Sequence, residues 1–145
     1  RIFNNRDTIF IHSISVYELA KYLMRKGSNK EEAENKAKEF LNSHNIAKVH
    51  CFIPDKEIND FEIESNKKLS QIGKDRLKCH RPDSIILLAF KRCNINRIIS
   101  TDESFRECAK FLGIDGSTLP SLDYKISREL RRIFDYKRKY KKRRN

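Results

Sequence analysis

Two rhythms of apolar and polar positions divide the chain into strands and helices. Residues 8–12 (Thr-Ile-Phe-Ile-His) are a β-rich run and predict a short strand. In residues 13–26, Val16, Leu19, Ala20 and Leu23 recur at helical spacing, and Gly27 stops the helix. Ser15 and Glu18 stand three apart, the spacing of a capping box. Residues 29–44 predict a second helix with Ala33, Ala37, Phe40 and Leu41 on one face. Residues 48–53 predict a strand ended by Pro54, and residues 56–69 an amphipathic helix carrying Ile58, Phe61, Ile63 and Leu69.

After a polar loop over residues 70–82, residues 84–93 are apolar almost all round, which predicts a buried helix. Residues 96–100 predict a strand whose Ile98-Ile99 pair suits a central parallel position. Residues 103–112 predict a helix closed by Gly113. Residues 114–122 read as loop with room for a short strand. A last helix over residues 126–140 carries Ile126, Leu130, Ile133, Phe134 and Tyr140 on one side. Strands alternating with helices predict an α/β layer architecture with right-handed crossovers.

Composition adds a partner class. The 145 residues fit one domain, and no run approaches the ~20 apolar residues of a membrane span. The net charge is +12, and residues 125–145 hold 11 basic and 2 acidic residues, so most of it lies in a terminal run. Such a run favours polyanions, nucleic acid first. Tyr124, Tyr136 and Tyr140 among the basic residues suit stacking on single-stranded bases, but the apolar stripe of the last helix favours docking on the body with residues 137–144 as a free basic tip. The chain opens on Arg1 with no visible signal peptide. Its four cysteines contain no C-x-x-C pair, which argues against structural zinc and for reduced thiols in a cytoplasmic protein. Cys93 and Cys108 fall on apolar helical faces and are expected in the core. Neither a P-loop nor a G-x-G-x-x-G motif supports nucleotide-cofactor use.

Three acidic residues fall at element starts: Glu18, Asp83 and Asp102. Each has an ordinary role as a helix cap. Together they suggest more. Asp102 follows a strand, and ligands of open α/β sheets bind outside the carboxyl ends of the strands. Carboxylates crowded together suppress one another's ionisation. A hard divalent cation, Mg²⁺ or Mn²⁺, relieves that repulsion and supports phosphodiester hydrolysis.

The segments Asp83-Ser-Ile-Ile-Leu-Leu-Ala-Phe, Arg97-Ile-Ile-Ser-Thr-Asp102-Glu-Ser-Phe and Thr8-Ile-Phe-Ile-His-Ser-Ile-Ser-Val-Tyr-Glu18-Leu resemble the PIN-domain family over residues 8–114. The resemblance implies a three-layer sandwich over residues 1–122 with a central, mostly parallel sheet, followed by a basic helix and tail over residues 123–145. It implies a metal-dependent RNA endonuclease with Glu18, Asp83 and Asp102 as catalytic metal ligands and Ser100 as a supporting hydroxyl. RNA is the implied partner, and an antitoxin-like protein and a homodimer are the further partners the family suggests. His80 and Arg81, beside Asp83, and Lys137, Arg138 and Lys141 in the tail are the candidate RNA contacts. The alternative is a catalytically inactive PIN-like subunit that binds RNA or protein through its tail.

The pattern departs from the family in two places. The family's first Asp closes a strand ahead of the one matched here to residues 8–12, and residues 1–7 offer no such segment, so either that strand lies upstream of Arg1 or one ligand is lacking. A further family acid falls where this chain has Ser104, with Glu103 and Glu107 as substitutes.

Overall fold

A computed structural model describes residues 8–118. The expected last helix and the basic tail lie outside that range. Within it the order is β1 (Ile9–His12), α1 (Ser13–Arg25), α2 (Lys30–Ser43), β2 (Ile46–Val49), α3 (Asp55–Gln71), α4 (Asp83–Arg92), β3 (Arg97–Ile99), α5 (Glu103–Lys110) and β4 (Asp115–Ser117). No helix among the described residues is long and apolar enough to cross a membrane.

All strand pairing is parallel. β1 pairs with β2 from Ile9 opposite Ile46 to His12 opposite Val49. β3 pairs with β4 from Arg97 opposite Asp115 to Ile99 opposite Ser117. Parallel neighbours need a crossover, and helices supply both: α1 and α2 for the first pair, α5 for the second. The fold is mixed α/β, as the alternating pattern predicts. It differs from the expectation in one respect. The strands form two separate pairs rather than one sheet, so β3 is bonded on one side only among the described residues.

The apolar helix α4 is the hub. Leu87 and Ala89 are fully buried, and Ile86, Leu88 and Phe90 nearly so. Around Ile86, Leu87, Ala89 and Phe90 pack Leu69 of α3, Cys108 and Ala109 of α5, Ile98 of β3, Ile114 and Val49, while Leu88 packs with Ile53 and Ile58. Burying a side chain of this size contributes roughly 1.5–3 kcal/mol, which is why α4 tolerates so little polarity.

Local differences from the sequence reading have local causes. β2 begins two residues early because Asn45 takes a left-handed conformation (φ 52°) that turns the chain straight out of α2. Cys108 is buried, but Cys93 caps the C-terminus of α4 and is exposed. A position one step past the last buried turn leaves the core face even when the apolar spacing continues. All four cysteines are free thiols.

Candidate active site

Glu18 reaches the site from α1. The capping box expected of Ser15 is not formed. The helix starts at Ser13, and the cap lies three residues before Ser15: His12 accepts the backbone N–H of Ile14 on Nδ1 at 3.0 Å. Glu18 therefore lies past the first turn, exposed and with no capping duty.

Asp83 is the first residue of α4, placed there by a loop that passes through the cis Arg81–Pro82 bond. Pro82 occupies the capping position, so the carboxylate of Asp83 is not the cap. Asp102 does cap: one oxygen accepts the N–H of Phe105 at 3.2 Å, starting α5. Its own N–H donates to Ser100 Oγ at 3.1 Å, which fixes the turn between β3 and α5.

The three carboxylates line one cleft of about 980 Å³. One wall is residues 8–12 and the other is residues 93–100, with Ile86 and Phe90 of α4 also exposed to it. A strand presents alternate side chains to each of its faces. Walls built of consecutive residues therefore belong to strand edges. The cleft is a slot between β1 and β3, the neighbouring edges of the two strand pairs. Glu18 and Asp102, which follow the carboxyl ends of those strands, mark its mouth together with Asp83.

Electrostatics links the three acids. Burial raises the pKa of Asp83 above its usual value, and the negative charges of Asp102 and Glu18 push it further; His80 works in the opposite direction. No side-chain cation forms an ion pair with any of the three among the described residues. The donor chemistry suits a hard cation. The spacing is wider than a closed ligand shell: among the described residues no three His, Cys, Asp or Glu side chains are grouped closely enough to hold an ion directly.

The other predicted contacts are placed differently. His80 is exposed beside the Asp83 loop, its Nδ1 3.1 Å from the carbonyl oxygen of Arg81. Arg81 turns to α3, where it donates to Asp55 at 3.3 Å and to Asn59 at 3.1 Å. Lys137, Arg138 and Lys141 lie outside the described residues. Of the basic loop before α4, Lys74 pairs with Glu107 at 3.0 Å and Arg76 with Glu103 at 2.9 Å. Glu103 and Glu107 are thus tied to that loop and are absent from the cleft lining. Neither joins the three carboxylates in the cleft, where they were expected as substitutes for an acid at position 104.

One cleft residue carries more weight than its sequence suggests. His12 is 2% exposed, and its Nε2 has no hydrogen-bond partner among the described residues. Since Nδ1 accepts, the ring proton of the neutral form sits on Nε2 as a buried, unpaired donor. Burial, then the charge of His50, lower its pKa. His50 itself bonds Ser13 Oγ at 2.8 Å, and His44 packs on Phe40 with ring centroids 4.7 Å apart. From sequence, its place after the strand that leads to Glu18 puts His12 near the site; its burial and its capping role carry no local signal.

No protein-family model, curated protein or solved structure matches this chain.

Proposed function

We propose that the chain is a metal-dependent RNA endonuclease of the PIN type. The observation that carries this reading is Asp83: a half-buried carboxylate, neither cap nor ion pair, at the mouth of a cleft shared with two further acids. Burying an acid among acids is unfavourable unless something positive binds there. Asp83, Asp102 and Glu18 would hold Mg²⁺ or Mn²⁺, with water filling the wider gaps, as hard cations permit. When bound, such an ion makes a water nucleophilic at neutral pH and offsets charge on the scissile phosphate.

The protein's own parts have separate tasks in this reading. Ser100 and the start of α5 orient Asp102, the α4 N-terminus presents Asp83, and His80 offers an exposed imidazole to a phosphate. In this reading the two strand pairs on either side of the slot belong to one PIN-like three-layer sandwich.

RNA incubated with Mn²⁺ and the protein should be cut internally. Cleavage should stop with EDTA and in Asp83→Asn and Asp102→Asn; cutting that survives both changes sinks the proposal. The wide carboxylate spacing favours a second reading, an inactive subunit that grips RNA through its basic tail. Its signature is affinity that falls steeply with salt and disappears on deleting residues 137–145, with no response to Mn²⁺.

A further inference from the structure

α3 carries a polar stripe at positions 55, 59, 62 and 66. The spacing of four, three and four keeps these side chains on one face of the helix. Every member of the stripe bonds the loop that delivers Asp83. Asn66 makes two bonds to the backbone of Cys79: its Nδ2 donates to the carbonyl at 3.0 Å, and its Oδ1 accepts the N–H at 2.8 Å. This pairing imitates a β-bridge, and it satisfies both polar backbone groups of a residue that is only 3% exposed. Further along, Asp55 and Asn59 hold the guanidinium of Arg81. Glu62 accepts the hydroxyl of Ser84 at 2.6 Å, and Ser84 is fully buried beside Asp83.

The loop is therefore fixed on both sides of Asp83, at Cys79 and at Ser84, by two residues of one rigid helix. Neither Asn66 nor Glu62 lines the cleft. They act on the site through backbone and neighbour alone. We propose that Asn66 and Glu62 are positioning residues that set where the Asp83 carboxylate stands in the cleft, and through it the affinity of the site for a divalent cation. The inference rests on the metal-dependent reading above and names the device that makes its site.

Groups that orient a ligand without touching the ion are worth about tenfold to a hundredfold in metal affinity. Mn²⁺ titration calorimetry on the full chain should show a loss of that size in Asn66→Ala and in Glu62→Ala. Glu62→Gln keeps an acceptor for Ser84 and should restore binding close to wild type. Glu64→Ala, on the same helix but paired only with Lys68 at the surface, should change nothing. Hydrogen exchange over residues 79–84 should rise in the two alanine variants and not in Glu62→Gln.

The outcomes separate. Wild-type affinity in both alanine variants, with wild-type protein binding Mn²⁺, overturns the positioning role and leaves the nuclease reading intact. No Mn²⁺ binding by wild type overturns both. If Asn66→Ala does not fold, the Glu62→Ala and Glu62→Gln pair decides. A purely structural role would lower both melting temperatures without the difference in affinity.

Discussion

Two acidic regions lie on either side of α5, and they solve the problem of negative charge in opposite ways. On one side Glu103 receives two bonds from Arg76 at 2.9 and 3.0 Å, and Glu107 is held by Lys110 and Lys74 at 2.8 and 3.0 Å. Hydrogen bonds from these partners hold both carboxyls below their usual range. On the other side, burial and neighbouring acids raise Asp83, the opposing charge of His80 offsets only part of this, and among the described residues no side chain forms an ion pair with it. The first region is finished by the protein itself and pins the loop before α4 to α5. The second is incomplete. Acid content alone does not distinguish the two regions; the presence or absence of a paired cation does.

The largest expected difference between the regions is in activity. In the metal-dependent reading, Asp83→Asn or Asp102→Asn should reduce Mn²⁺-dependent RNA cleavage on the order of a hundredfold or more, since each removes a carboxylate that would hold the ion stabilising charge on the phosphate. Glu103→Gln, one residue from Asp102, should leave cleavage within a few-fold of wild type, on the order of 1 kcal/mol or less. Equal losses in Asp102→Asn and Glu103→Gln would erase the distinction.

Next in size is stabilisation by the ion. A ligand that binds only the folded state at a hundred times its Kd adds about 2.7 kcal/mol. Thermal melts in Mn²⁺ should show a shift of this order for wild type and for Glu107→Gln, and none for Asp83→Asn. A shift kept by Asp83→Asn would move the ion elsewhere.

The contrast also shows what a sequence reveals. Helix and strand positions were legible because apolar spacing reports burial directly, and α4, apolar nearly all round, is the hub it promised to be. That Glu18, Asp83 and Asp102 share one cleft was legible for Asp83 and Asp102, which stand at the starts of α4 and α5, and less so for Glu18, which lies past the first turn of α1. What was hidden depends on partners remote in sequence. That Arg76 neutralises Glu103, 27 residues away, decides which acids are spent, and no local pattern carries it. The same holds for Arg81, which looked free beside Asp83 and is bound to α3. The grip of Asn66 on Cys79 is equally silent, because an asparagine on a helix gives no sign of what it holds. The division of the strands into two pairs was invisible for a related reason: a period of two reports which face is buried, not whether each edge has a neighbour.

A smaller effect tests the finished region. Glu107→Gln removes a charge shared by Lys74 and Lys110 and should lower stability by at most about 1 kcal/mol, less in high salt. A loss of several kcal/mol would mean that these pairs, not the apolar contacts of α4, hold the loop.

The smallest effect, and the sharpest in sign, is on pH. Asp83 has a raised pKa in the folded state, so the fold binds its proton more tightly than the unfolded chain does. Its favourable contribution is present below the ordinary value of 3.8 and is lost as pH rises through the raised value. Glu107 has a lowered pKa, so its contribution is present above 4.5 and is lost as pH falls through the lowered value. In metal-free buffer, Asp83→Asn should therefore gain stability relative to wild type as pH rises from 4 to 7. Glu107→Gln should lose stability relative to wild type as pH rises through the acid range up to 4.5, with little further change above it. Thermal melts of the three proteins at matched ionic strength read both slopes. If the two difference curves run in the same direction, the two acidic regions are electrostatically alike and Asp83 has a counter-charge after all.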